Sequence, residues 1–231
     1  MTDVGSWILL DQAGLIAVNK PPGLPSTGRT LSDPWCLQSM LVRWAGRMVW
    51  AVHQLDSDTS GAILFVRRKT LVAEVGQRLR PPGGQKVYFA LCHGEPSFDE
   101  RTIDLAMGSI SRSGPVRLGV LSNGRSARTC VRVLARASGF SLLELRLLTG
   151  RTHQARIHLA HVGHPLVGER LYRFPPCELH PRHALHAARL VLGGSERRVI
   201  DAPVASDVVE LSARLGLGGR RLFSSLPSTI R

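Results

Sequence analysis

The chain has 231 residues, of which 43% are hydrophobic and 20% charged. That is an ordinary composition for a folded globular protein and excludes disorder as its main state. Thirty Lys and Arg against 17 Asp and Glu leave a formal net charge of +13. This argues against a metabolic enzyme with a cationic substrate and favours a polyanionic partner, nucleic acid first and anionic membrane second.

In chain order, Trp7–Leu10 and Leu15–Val18 are short apolar runs around the turn signal Asp11-Gln12-Ala13-Gly14, which predicts a hairpin. Lys20-Pro21-Pro22-Gly23 ends the second strand, because proline donates nothing to a ladder. Asp33-Pro34 reads as an N-cap with proline at the first helical position. The helix it opens runs to about Gly46, with Leu37, Met40, Leu41 and Trp44 on one face. Ala62–Val66 is a strand and Lys69–Leu79 a helix that stops before Pro81-Pro82-Gly83-Gly84. That run is either a junction between lobes or a loop inside one. Val87–Cys92, Arg125–Ala135 and Phe140–Leu148 read as strands, the last with Leu143, Leu145 and Leu147 alternating against Glu144 and Arg146. Thr152 is placed to cap a helix over His153–Val162, ended by Gly163 and Pro165. A strand over Ala184–Leu192 and a helix over Pro203–Leu215 complete the pattern. Strands outnumber helices without alternating with them, so the fold class is α+β with a mixed, mostly antiparallel sheet and flanking helices.

The basic residues are 27 Arg and 3 Lys. Codon bias accounts for that ratio but not for the excess over acids. No acid falls between Asp104 and Glu144, where Arg112, Arg117, Arg125, Arg128, Arg132 and Arg136 lie, and so one-sided a stretch reads as a surface for a polyanion. The four cysteines (Cys36, Cys92, Cys130, Cys177) form no C-x-x-C pair and read as reduced thiols of a cytoplasmic protein. The N-terminal MTDVGSWILLDQ has acids and no basic region ahead of its apolar run, unlike a signal peptide. No apolar stretch reaches transmembrane length.

Two segments carry chemistry. In HQLDSDTSG (His53–Gly61), Asp56 sits on a tight polar loop between core segments, as a catalytic carboxylate or as a turn-capping one. In LLTGRTHQARIHLAHVGHPLVGERLY (Leu147–Tyr172), Arg151 stands at a helix mouth where anions are favoured, and Arg156 is placed to bind phosphate or to hold a carboxylate ionised. His153, His158, His161 and His164, with Glu169, raise a metal site. Their irregular spacing and the lack of H-E-x-x-H weigh against it. No Walker, dinucleotide or G-x-S-x-G motif occurs. Tyr88 opens a strand as core filler or as a platform for a base.

HQLDSDTSGAILFVRRK resembles the H-R-L-D-x-x-T-S-G motif of the RluA family of RNA pseudouridine synthases. The resemblance continues, in the family's order, through LIAVNKPPGLP, KVYFALCHG, TGRTHQARIHLAHVGHPLVGERLY and PRHALHAARL. It implies one catalytic domain over residues 1–231 with a basic cleft, no separate N-terminal RNA-binding domain, and a cofactor-free, metal-free isomerisation of uridine in ribosomal or transfer RNA with base flipping. By position, Asp56 matches the catalytic aspartate, Tyr88 the tyrosine that packs on the target base, and Arg156 the arginine that pairs with the aspartate. His53, Gln54, Thr59, Arg151 and Leu185 match substrate-binding positions. Gln54 departs from the pattern: relatives carry Arg there, which bears on substrate choice more than on activity. Two other readings stand beside this one. The first is a degenerate synthase kept as an RNA-binding or ribosome-assembly protein, and the second is a zinc hydrolase built on the histidines. A monomer is the default for want of any oligomer seam.

Overall fold

The computed structural model describes residues 3–28, 30, 33–111, 117–219 and 223; Arg112 of the acid-free stretch lies outside them. The described elements, in order, are β1 (Ile8–Gln12), β2 (Leu15–Lys20), α1 (Leu37–Ala45), β3 (Trp50–Ala51), β4 (Ser60–Val66), α2 (Leu71–Arg78), β5 (Gln85–His93), β6 (Glu100–Asp104), β7 (Met107–Ser109), β8 (Leu118–Val120), β9 (Arg128–Ala137), β10 (Phe140–Leu147), α3 (Gln154–His161), β11 (Leu185–Leu192), β12 (Arg198–Asp201) and α4 (Ser206–Arg214), after a short 3-10 turn at Val4–Trp7. One sheet runs β1-β2-β4-β11-β5-β10-β9-β6, with β3 on β4 and β12 on β11, while β7 and β8 form a separate hairpin. Neighbouring strands are antiparallel except β4 and β11, which run parallel at the centre through Ser60–His186 and Gly61–Ala187. The α+β reading with a mixed, mostly antiparallel sheet is what the molecule shows.

Helices cover both faces, which is why the central strands read as continuous apolar runs. On β2, Ile16 and Val18 point to a core shared with Leu37 and Leu41 of α1 and Leu159 of α3. Leu15 and Ala17 point the other way, against Val75 and Leu79 at α2. Further along that second face, Phe89, Leu91 and Leu142 pack under Val208 and Leu211 of α4. The central parallel contact is tight. Gly61 has φ +109°, and a Cβ there would lie 2.2 Å from the Ala187 carbonyl oxygen. Only glycine fits, because both the backbone angle and the missing side chain are required.

Several local expectations are corrected. Asp33 does not cap α1: its carboxylate accepts from the Trp35 amide at 3.1 Å. The cap is Cys36, whose Sγ accepts from the Ser39 amide at 3.5 Å. Thr152 does not cap α3. The N-cap is His153 in a left-handed conformation, φ +56°, with no side-chain cap, and the Gln154 carboxamide ties the preceding loop together instead. Its oxygen accepts from the Arg151 amide (3.1 Å) and the Thr149 hydroxyl (2.7 Å), and its nitrogen donates to Arg128 O (2.9 Å). Pro81–Gly84 is a loop leading from α2 into β5, and β5 pairs with both β11 and β10, so the run lies inside one continuous sheet. The acid-free stretch is partly neutralised by acids from outside it. Arg128 meets Asp104 at 3.2 Å, Arg132 meets Glu144 at 3.4 Å and Arg136 meets Asp99 at 2.7 Å.

Candidate active site

The loop between β3 and β4 carries Asp56, and three separate segments grip its backbone. The Lys20 ammonium, fully buried, donates to Ser57 O (2.7 Å) and to Pro21 O and Leu24 O of its own loop (2.9 and 2.8 Å). Burial first, and then the nearby Arg182 charge, press this amine down to about 7. Ser26 Oγ donates to Leu55 O (2.7 Å) and accepts from the Leu55 amide (3.0 Å). Arg182 donates to Asp58 O (2.8 Å) and Ser60 Oγ (3.1 Å), and is itself held by Asp207 through Nε (2.7 Å) and Nη2 (2.9 Å).

The Asp56 side chain emerges from this frame 22% exposed, into a cleft of about 1270 Å³. Arg156 Nη1 donates to Asp56 Oδ2 at 3.2 Å. The other edge of the same guanidinium is occupied: Nε and Nη2 each donate to Glu169 at 2.8 Å, a bidentate buried pair. Glu169 Oε1 also accepts from the amides of Arg170 (3.0 Å), Leu171 (2.8 Å) and Tyr172 (3.3 Å). Burial works against both charges. The pairing outweighs it, so Glu169 titrates below the usual glutamate range and Arg156 above the usual arginine range. Arg156 thus has one guanidinium face locked into the protein and one N–H aimed at Asp56.

His153 completes the cluster. Its left-handed backbone turns the ring toward the cleft, with Nδ1 2.6 Å from the Tyr172 hydroxyl and Nε2 3.7 Å from Asp56 Oδ1. Non-glycine residues adopt this conformation at a cost, and such positions cluster where function demands a particular side-chain direction. Burial lowers the His153 pKa despite the Asp56 charge beside it. The Arg156 guanidinium also lies over the Tyr172 ring, 5.2 Å from its centroid. Tyr88 faces the same cleft from β5. Burial, and then the Asp56 charge, push its phenol well above its ordinary range, so it stays neutral. A carboxylate, an oriented guanidinium, an imidazole and a neutral aromatic ring therefore line one cleft. Arg80, Lys86, Arg128, Arg151 and Arg170 line the surrounding walls, a setting suited to a polyanion carrying a flat ring.

Of the residues singled out in the sequence, His53, Gln54, Asp56, Tyr88, Arg151 and Arg156 line this cleft. His53 Nε2 accepts from the Leu64 amide (3.2 Å), and burial with the Lys86 charge holds its ring neutral, lowered to about 3. Gln54 donates to Thr27 Oγ1 at 3.0 Å and Arg151 to Ser126 O at 3.0 Å. Thr59 and Leu185 do not line it. Thr59 is buried behind the loop with its hydroxyl 2.9 Å from His183 Nε2, and Leu185 lies in the core opposite Ala90. Glu169, considered in the sequence only as a metal ligand, is instead the anchor of Arg156. Tyr172, Lys20, Arg182 and Asp207 carried no local signal, because each acts on a partner distant in sequence. The histidines disperse: His158 is held by Thr129 Oγ1 and Leu105 O (3.0 Å each) and His164 by His93 O (3.2 Å). Among the described residues no group of three or more His, Cys, Asp or Glu side chains is arranged to hold a metal ion.

A family model described as RNA pseudouridylate synthase matches residues 14–161. The chain is 34% identical over 214 residues to an uncharacterized RNA pseudouridine synthase, YhcT, of Bacillus subtilis, covering 88% of this chain and 70% of that protein. It is 36% identical over 184 residues to one of Chloroflexus aurantiacus, of which it spans 57%. It is 32% identical over 188 residues to the dual-specificity RNA pseudouridine synthase RluA of Vibrio cholerae, covering 80% of this chain and 76% of that protein. Among solved structures, human RNA pseudouridylate synthase domain containing 4 superposes with a TM-score of 0.75 at 24% identity, over 92% of this chain and 94% of that one. That likeness speaks to the fold.

Proposed function

The chain belongs to the RNA pseudouridine synthase family, whose members are isomerases, and from that premise we propose that it converts specific uridines of structured ribosomal or transfer RNA to pseudouridine, with Asp56 as the catalytic carboxylate. The observation that carries this reading is the Arg156 bridge, with two bonds to Glu169, one to Asp56, and Tyr88 facing the same cleft.

The reaction breaks the bond between ribose C1′ and uracil N1, turns the base, and forms a bond from C1′ to C5. C5 loses its proton and N1 gains one, so atoms and charge balance without a cofactor. Asp56 acts at the ribose carbon, by attack or by stabilising its positive charge. Arg156 fixes the direction of that carboxylate, since two of its other N–H groups are committed to Glu169. The neutral Tyr88 ring offers a face to the detached base while it turns. The target must leave its stack to reach Asp56, so base flipping belongs to the proposal. The basic walls supply affinity for the backbone more than sequence choice.

The test is a pseudouridine map of total RNA from cells with and without the gene, read by chemical labelling that stops reverse transcription. Loss of one or a few sites on deletion, restored by the wild type and not by Asp56→Ala, is the expected result and names the substrate. Restoration by Asp56→Ala would overturn the assignment of Asp56. A map unchanged on deletion would favour an RNA-binding role.

A further inference from the structure

We propose that Leu171 is the wedge that enters the RNA stack when the target uridine leaves it; this rests on the functional reading above. Flipping a base leaves a gap between its neighbours, and nucleic-acid enzymes fill such gaps with an inserted side chain, often an apolar one. In this chain Gln54, at the position where relatives carry arginine, offers neither a guanidinium plane nor an apolar body, and it is engaged by Thr27 at 3.0 Å. The cleft has another occupant for that role.

Leu171 lines the cleft and is 68% exposed. An exposed leucine is unremarkable in itself; this one is exposed and rigidly placed. Its amide donates to Glu169 Oε1 at 2.8 Å, between the flanking amides of Arg170 and Tyr172, so three successive N–H groups wrap one carboxylate oxygen. That carboxylate holds Arg156, and Arg156 holds Asp56. An unbroken chain of hydrogen bonds therefore fixes the Leu171 backbone relative to the catalytic carboxylate. A side chain so fixed enters a gap without loss of backbone freedom. Arg170, exposed and also lining the cleft, sits next to it with a charge for the phosphate beside the gap. Phe174, on the same loop and 97% exposed, does not line the cleft.

The test uses transcripts spanning the site found by the pseudouridine map, with 2-aminopurine placed 3′ to the target uridine. Its fluorescence rises when the base beside it unstacks. In an Asp56→Asn background, which separates flipping from turnover, adding Leu171→Ala abolishes most of the rise. With Asp56 intact, Leu171→Ala lowers kcat/KM by roughly tenfold, the scale of a lost apolar side chain. Leu171→Met restores both readings, and Phe174→Ala leaves both unchanged. A full fluorescence rise and wild-type kcat/KM for Leu171→Ala overturn the wedge alone. Equal losses for Phe174→Ala also overturn it, since a loop that is merely adhesive has no privileged residue. Absence of turnover and of any rise in the wild type overturns the functional reading, and the wedge with it.

Discussion

Replacing Glu169 by Gln tests the geometry of the site at its least exposed point. The Glu169 side chain is fully buried and the Arg156 side chain only 7% exposed, so neither charge has water to fall back on. Glutamine keeps the size and one oxygen for the amides of residues 170–172. It removes the negative charge and sets an NH2 group against an Arg156 N–H, donor facing donor. Removing one partner of a buried pair leaves the other uncompensated and costs about 3–5 kcal/mol. For a chain of this length that is a fall in Tm on the order of 10 °C. Turnover drops as well, because Arg156 loses the anchor that aims its Nη1 at Asp56. The pH dependence carries a definite sign. Glu169 titrates lower in the folded state than in the unfolded chain, so its contribution is present above the ordinary glutamate pKa and is lost as pH falls through the folded one. The gap between wild type and Glu169→Gln therefore closes on acidification. The double variant Arg156→Met/Glu169→Gln removes the stranded charge and regains much of the stability without regaining activity. Urea unfolding at neutral and acidic pH, beside single-turnover kinetics, checks each part. A Glu169→Gln protein within about 1 kcal/mol of wild type at neutral pH refutes the argument that this pair anchors the site.

Three further outcomes follow from the same structure. Gly61→Ala places a methyl group 2.2 Å from Ala187 O at φ +109°; it costs at least about 3 kcal/mol and lowers the soluble yield, read by expression and thermal melting. Asp207→Asn loosens Arg182, and through it the backbone of Asp58 and Ser60; kcat falls by roughly tenfold while KM for RNA changes little, checked by steady-state kinetics on the mapped substrate. His183 and His186 are held neutral chiefly by burial, at about 3 and about 4. Because their folded values lie below the unfolded 6.5, they stabilise the fold above pH 6.5 and that stability is lost as pH falls toward 4. His186→Asn flattens the dependence of unfolding free energy on pH across that window by about one proton.

The strands most plainly legible in the sequence are those buried on both faces. β2, β4 and β11 are buried along nearly their whole length, so their apolar runs read as strands. β6 escaped because four of its five residues are exposed, and an edge strand with that pattern has no period to find. β7, β8, β3 and β12 are four residues or shorter. The α3 start departs from the Thr152 expectation because no side chain caps it: its N-cap is His153 in a left-handed conformation, which no capping residue signals. Asp56, Tyr88 and Arg156 were legible through a resemblance spanning many blocks, and no spacing rule joins residues a hundred positions apart. Glu169 and Asp207 hold Arg156 and Arg182 but meet these arginines only after loops have closed. Leu185 shows the converse: it sits inside a recognisable block and serves the core.

A common logic joins the anchors of the Asp56 loop. Lys20 grips Ser57 O, Ser26 grips both backbone groups of Leu55, and Arg182 grips Asp58 O. These are backbone groups, present whatever side chain occupies the position. The loop's path is therefore independent of residue 54, whose carboxamide reaches Thr27 and none of the anchors. Gln54 lies at the cleft beside that frame, while the Asp56 carboxylate is aimed separately by Arg156. The backbone path and the aim of the Asp56 carboxylate are thus held by different bonds on one short loop. That separation is the physical reason to look for altered substrate choice, rather than lost activity, as the consequence of glutamine at this position.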